Sequence, residues 1–208
     1  MIRPKHAAPV LLFFKWYIPF ILKRDFQTVQ VHGKAESFPR AILVLSNHFS
    51  WWDAFILFYL KQISFRKKYH VMMLEEQLRR FWFFNYGGVF SVKRNSKDII
   101  ESLNFSIALL EEPGNLLQLF PQGKIESQHI AALHFEKGLA YIMKHSKENF
   151  HIVFTVALVD YFSKRKPALH LFYEEYHGSK ERDIAKIERA YNDFFSVCKQ
   201  WMITQHKQ

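Results

Sequence analysis

Ala41-Ile42-Leu43-Val44-Leu45, running straight into Ser46-Asn47-His48-Phe49-Ser50-Trp51-Trp52-Asp53, is the stretch on which the reading of this chain turns. Five consecutive apolar residues with no polar face read as a buried strand. Such a strand delivers His48 to a sheet edge. A turn into the following helix, expected over about 52–62, can bring Asp53 back within hydrogen-bond reach of the imidazole, which is the raw material of a base and its orienter. The same residues also fit a plain helix start, because a first-turn Asp is favoured by the helix dipole. On these residues alone both readings stay open.

Working outward, strands and helices alternate. Val29 and Val31 mark a strand before the buried one, and 70–74, 89–92, 116–120, 151–159 and 169–173 are further strand candidates. A helix is expected over 96–110, with Ile99, Leu103, Ile107 and Leu110 on one face and Glu111-Glu112-Pro113-Gly114 ending it. Two more are expected over 135–144 and about 180–205, the last with Ile184, Ile187, Tyr191, Phe194 and Phe195 at helical spacing toward the core. This alternation predicts an α/β fold, a mixed sheet flanked by helices. The chain is long enough for one domain with a substantial core. It divides into residues 1–25, an N-terminal apolar and basic helix, and residues 26–208, a single α/β domain.

A second segment, Leu116-Leu117-Gln118-Leu119-Phe120-Pro121-Gln122-Gly123-Lys124, is an apolar strand that ends in Pro and Gly and so also stops at a sheet edge. With it the chain resembles the glycerolipid acyltransferases, the family of lysophosphatidate acyltransferase. That family's first block, Asn-His, four residues, Asp, matches Asn47, His48 and Asp53. Its third block, usually Phe-Pro-Glu-Gly-Thr-Arg, matches at Phe120, Pro121 and Gly123. Gly88 to Asn95 resembles the second block and puts Arg94 at its phosphate-binding position. Phe154 to Leu158 stands where the fourth block would be, without its Pro. The blocks fall in order over roughly residues 27 to 175, which is more specific than any one of them.

The resemblance implies a transferase with no protein nucleophile. A thioester is already an activated electrophile, so His48 would act as base on the acceptor hydroxyl and Asp53 would fix its tautomer and stabilise the imidazolium. It implies substrate contacts at Arg94, Phe120, Pro121, Gln122, Gly123 and Lys124, with the Gly123 amide offered to an oxyanion or phosphate. It also implies an acyl carrier protein or coenzyme A thioester as co-substrate, with no permanently bound cofactor, and a lysophospholipid-type acceptor. Two positions depart from the pattern. Gln122 stands for Glu and Ile125 for Arg, and with Lys124 for Thr the turn counts as more cationic than usual. The acceptor could therefore be a non-glycerol lipid, carrying an amino acid or a pigment. A lipid-binding protein without turnover is the remaining alternative.

Composition points to the partner. The chain has 208 residues, a formal charge of +10 and 22 phenylalanines. That suits an anionic membrane surface, where each cation near the surface contributes about 1 kcal/mol. Nucleic acid is disfavoured because the aromatics cluster in apolar runs and do not interleave with basic residues. Trp51, Trp52, Phe81 and Trp82 supply material for an acyl channel. Phe81-Trp82-Phe83-Phe84 is a run that no single amphipathic element can bury whole, so part of it should face acyl chains or the membrane. Lys61, Arg66, Lys67 and Lys68 would suit an acidic carrier protein.

At the N-terminus, 8–22 is apolar but broken by Pro9, Lys15 and Pro19 and short of the roughly 20 residues a span needs. It reads as an interfacial helix with Trp16 and Tyr17 at headgroup depth, or as a first helix packed in the core. No signal-peptide cleavage pattern follows it. Cys198 is the one cysteine, expected to pack as an apolar residue and to fit a reducing compartment. No histidine spacing suggests a metal site. The expected location is the cytoplasmic face of a membrane, peripheral or monotopic.

Overall fold

The structure is a computed structural model that describes residues 1–34, 37–93, 98–147, 150–178 and 183–205. Its strands are β1 (Thr28–His32), β2 (Ala41–Ser46), β3 (Lys68–Leu74), β4 (Val89–Val92), β5 (Asn115–Leu119), β6 (Phe150–Asp160) and β7 (Ala168–Glu175). They form one sheet in the order β1-β7-β6-β2-β5-β3-β4. All neighbours are parallel except β6 and β7, so the sheet is mixed. The helices are α1 (Ala8–Asp25), α2 (Asp53–Ser64), α3 (Glu75–Arg80), α4 (Ile99–Glu111), α5 (Lys137–His145) and α6 (Ile184–Gln205).

The continuous apolarity of β2 has a direct cause. Ala41, Leu43 and Leu45 face one core, shared with α4, α5 and α6, while Ile42 and Val44 face a second, shared with α1 and α2. A central strand covered on both sides has no solvent face on which to place a polar residue. β2 and its neighbour β5 send their following helices to opposite faces, α2 into one core and α5 into the other. Their C-terminal ends therefore flank a topological switch point, where open α/β sheets form a crevice.

Helix α4 turns the expected stripe to the core and adds polar residues to it. The buried positions are Ser102, Leu103, Ser106, Leu109 and Leu110, with Ile99 and Ile107 only partly covered. Ser102 Oγ donates to the Ser91 carbonyl at 2.9 Å and Ser106 Oγ to the Ser102 carbonyl at 2.9 Å. The hydroxyls are satisfied by backbone, so two small polar residues sit on the core face, a pattern that apolar periodicity alone cannot show. In α6 the buried line is Ile187, Tyr191, Phe195, Cys198 and Met202, with Ile184 and Phe194 at its margin. Cys198 is free, and burial pushes its thiol up to about 12.

Two elements lie in the stretch left unread between β3 and β4. One is α3, with acidic residues in its first turn and basic ones in its last; the other is a 3₁₀ segment, Trp82–Gly87, ended by Gly88 at φ 103°. Among the four consecutive aromatics, Phe84 is buried, Phe81 half-buried, and Trp82 and Phe83 exposed.

Helix α1 packs in the core by one face and leaves the other face outward. Phe14, Ile18 and Leu22 belong to the second core, so residues 1–25 are packed into the body of the domain. Leu12, Phe13, Trp16 and Phe20 lie on the other side and are more than half exposed. A helix apolar on both faces meets core on one and, in water, nothing suitable on the other. Among the described residues no helix is long and apolar enough to cross a membrane.

Candidate active site

The site is built where β2 and β5 end side by side. Ser50 begins the turn into α2: its Oγ accepts the Trp52 N–H at 3.0 Å, and Asp53 reaches back to accept the Ser50 N–H at 2.9 Å. That reciprocal pair closes the turn Ser50-Trp51-Trp52-Asp53 immediately ahead of α2. The same Asp53 Oδ2 also accepts the Phe49 N–H at 2.8 Å and lies 2.7 Å from His48 Nδ1, while Oδ1 accepts from Ser50 Oγ at 3.1 Å. The helix start and the base–orienter pair are thus one arrangement. The two readings of the sequence describe a single carboxylate, 4% exposed.

Acceptance by Asp53 assigns the proton of the neutral ring to Nδ1 and leaves Nε2 as the basic nitrogen. The imidazole stacks on Phe120, ring centroids 4.2 Å apart and planes 20° from parallel, and its side chain keeps about a quarter of its surface, 24%, open to solvent. Phe120, expected as a substrate contact, is here the wall that holds the ring flat. Asn47 does not touch the ring. Its amide pairs with both backbone groups of Ala157, donating at 2.9 Å and accepting at 2.8 Å, and so ties the loop to β6. Below it, Ser46 Oγ and Thr155 Oγ1 are 2.5 Å apart, and the Tyr191 hydroxyl of α6 donates to the Thr155 carbonyl at 2.8 Å. A small cavity of about 20 Å³ lies behind the pair, with Ser46, Asn47, Asp53 and Thr155 on a wall that is otherwise apolar.

The turn after β5 departs from expectation in three ways. The Gly123 N–H donates to the Phe120 carbonyl at 3.0 Å, so this amide is committed inside the turn and is not presented to an oxyanion. Lys124 Nζ lies 2.9 Å from Glu126 Oε1, so the extra cation is balanced within the turn and the expected cationic excess is absent. The charge count that stopped at Ile125 missed the neutralising residue next to it. Gln122, finally, is buried, and its side chain binds the His48 backbone N–H at 2.7 Å. Pro121 is buried, and its carbonyl accepts the Glu136 N–H at 2.8 Å. Arg94 lies outside the described residues.

Gly123 sits at φ 65°, and a Cβ there would come within 2.8 Å of Glu136 Cγ. Gly123→Ala is expected to lower stability by about 1–2 kcal/mol, the cost of left-handed backbone for an L residue. Chemical denaturation at fixed pH checks it, and an unchanged midpoint would show that the turn relaxes freely.

The aromatics form a continuous track. Trp51, exposed beside the loop, lies 4.9 Å from Phe55, which lies 5.5 Å from Phe84, which lies 6.2 Å from Phe14 of α1. Trp52, half-buried, lies against Trp51 at 5.8 Å and Phe55 at 6.2 Å and links them to Phe26 at 6.2 Å. Phe81 and Trp82 continue the surface beyond Phe84, with Phe81 at 5.9 Å from it. The basic cluster Lys61, Arg66, Lys67 and Lys68 is not here. It stands where β3 begins, and because β3, β5 and β2 are parallel, that is the edge opposite His48. Lys67 Nζ is engaged there with the Pro113 carbonyl at 2.6 Å. A carrier docked on that cluster would face the far side of the sheet from the imidazole.

A carboxylate-held imidazole at a switch point, stacked on the turn of the neighbouring strand, is an arrangement that can take a proton at Nε2. Ser50, the one hydroxyl bonded to Asp53, is directed to the carboxylate and not to the ring. Comparison with known proteins makes the class specific: the acyltransferase family model matches residues 28–159, more than half of the chain, and the chain belongs to that family. Among solved structures the fold is similar to the 1-acyl-sn-glycerophosphate (LPA) acyltransferase PlsC from Thermotoga maritima, at 15% identity and a TM-score of 0.60. The match covers 91% of this chain and 79% of that one. No curated protein matches the sequence.

Proposed function

We infer that this acyltransferase moves a fatty acyl group from an acyl carrier protein or coenzyme A thioester to the hydroxyl of a lysophospholipid-type acceptor at a membrane surface. The observation that carries the reading is the 2.7 Å contact between His48 Nδ1 and buried Asp53, which leaves Nε2 open. In the reaction, the acceptor oxygen attacks the thioester carbonyl carbon while its proton passes to His48 Nε2. The tetrahedral intermediate then expels sulfur, which takes the proton back from Nε2 and leaves as the thiol. Asp53 carries no proton; its charge favours the transient imidazolium.

The membrane part of the reading is supported by the outward face of α1 and by the ring track that joins it to Trp51. Aromatic and apolar residues of this kind lie at the headgroup boundary of a bilayer, and the net charge of +10 draws the protein to anionic lipid. A single free cysteine fits the reducing, cytoplasmic side. A second reading, transfer to a non-glycerol lipid, is favoured by one observation. Gln122 and Lys124 are both engaged inside the turn, so neither is held ready for a phosphate.

The test is a panel of lysophosphatidate, other lysophospholipids, and amino-acid and pigment lipids bearing a free hydroxyl. Each is offered with palmitoyl-coenzyme A and palmitoyl-carrier protein, and products are identified by mass. A lysophospholipid product supports the first reading and a product from another lipid class the second. Protein that binds anionic vesicles but acylates nothing overturns both.

A further inference from the structure

The turn after β5 holds His48 by both of its backbone groups. The His48 N–H donates to Gln122 Oε1 at 2.7 Å, and the His48 carbonyl accepts the Glu126 N–H at 2.8 Å. The two residues that make these contacts also bind each other, Gln122 Nε2 donating to Glu126 Oε2 at 2.8 Å, and Lys124 closes the group on Glu126 Oε1 at 2.9 Å. Position 122 therefore has to accept a hydrogen bond at one atom and donate one at the other. A glutamine amide can do both, whereas an ionised carboxylate can only accept.

The geometry points to Gln122 and Glu126 as a matched pair of positioning residues that hold the catalytic loop. The inference rests on His48 being the base. It gives the departure at 122 a physical reason: with Glu126 present, a carboxylate at 122 would stand at hydrogen-bond distance from a second carboxylate, and like charges so close cannot both stay ionised. Gln122 is 3% exposed, so water could not replace a lost bond cheaply. The hydrogen bonds from Gln122 and Lys124, with His134 nearby, hold the Glu126 carboxyl below the usual carboxylate range, which keeps it the acceptor at neutral pH. The pair also ties residue identity at 122 to residue identity at 126, a coupling that reading each position separately does not show.

The consequence is a specific pattern of rescue. Gln122→Glu is expected to lower kcat about 10- to 100-fold, since small misplacements of a base are costly in rate, with the acceptor KM changed by less than about threefold. Glu126→Gln alone keeps an acceptor for the Gln122 amide but loses the Lys124 ion pair, and should lower kcat less than Gln122→Glu does. In the double variant the amide at 126 donates to the carboxylate at 122, which still accepts the His48 N–H, so kcat should recover at least about tenfold over Gln122→Glu. The assay is thiol release with the thioester and acceptor that wild type turns over, on full-length protein, with thermal midpoints recorded for every variant. If Gln122→Glu does not stay folded, the double variant must recover the midpoint as well as the rate. A near-wild-type kcat in Gln122→Glu, or a double variant no better than it, overturns the pairing. His48→Ala assayed alongside separates the two readings. Activity surviving there removes the base assignment, whereas an inactive His48→Ala with failed rescue removes only the pairing.

Discussion

His48→Ala is expected to lower acyl transfer by about 10²- to 10⁴-fold, the usual contribution of a positioned base, while costing about 1 kcal/mol or less in stability. The small structural cost follows from the surroundings. The imidazole is partly open to solvent and lies against one face of Phe120, and the loop it sits on is held without it. Asp53 retains the Phe49 and Ser50 N–H groups and the Ser50 hydroxyl, Asn47 retains Ala157, and Gln122 and Glu126 grip the His48 main chain. Matched thermal midpoints with lost turnover identify a chemical role. A variant that keeps more than about a tenth of wild-type rate would mean that the base lies elsewhere.

Asp53 should behave differently, because one carboxylate serves the helix start and the base. Asp53→Ala strands the Phe49 and Ser50 N–H groups and removes the acceptor of the Ser50 hydroxyl at once, a loss of about 2–4 kcal/mol in addition to the loss of rate. Asp53→Asn keeps an acceptor oxygen for those donors but removes the charge that favours the imidazolium. It should therefore fold nearly as stably as wild type and still turn over about 10²- to 10⁴-fold more slowly. Denaturation midpoints and single-turnover rates of the two variants, measured side by side, decide the matter. If the alanine variant is as stable as the asparagine variant, the role assigned to Asp53 in holding the turn is wrong.

Much of this was legible in the chain and the remainder had identifiable reasons for staying hidden. The two-sided burial of β2 shows in five unbroken apolar residues, and the spacing of His48 and Asp53 shows that one turn could join them. Local sequence could not show that the helix-start and base readings of that spacing are the same structure, since both depend on where a single carboxylate points. The α4 stripe packs on the core as its spacing implies, but the burial of Ser102 and Ser106 beside it rests on backbone hydrogen bonds, which hydrophobic periodicity does not register. The charge of the Gln122 turn was misjudged because its balance depends on Glu126, one residue past the motif. The basic cluster at 61–68 suits an acidic carrier protein by charge, which says nothing of its place, and the direction of β3 puts it at the edge opposite His48. In each case the deciding arrangement is through space and invisible in a linear pattern.

The measurement that bears most directly on the account is acceptor-dependent release of free thiol from palmitoyl-coenzyme A or palmitoyl-carrier protein by wild type and His48→Ala, in the presence of anionic vesicles. The account predicts release by wild type that rises with a lysolipid acceptor, yields one ester per thiol, and falls by at least about 10² in the variant. Release that is independent of acceptor, or equal in the two proteins, would contradict it.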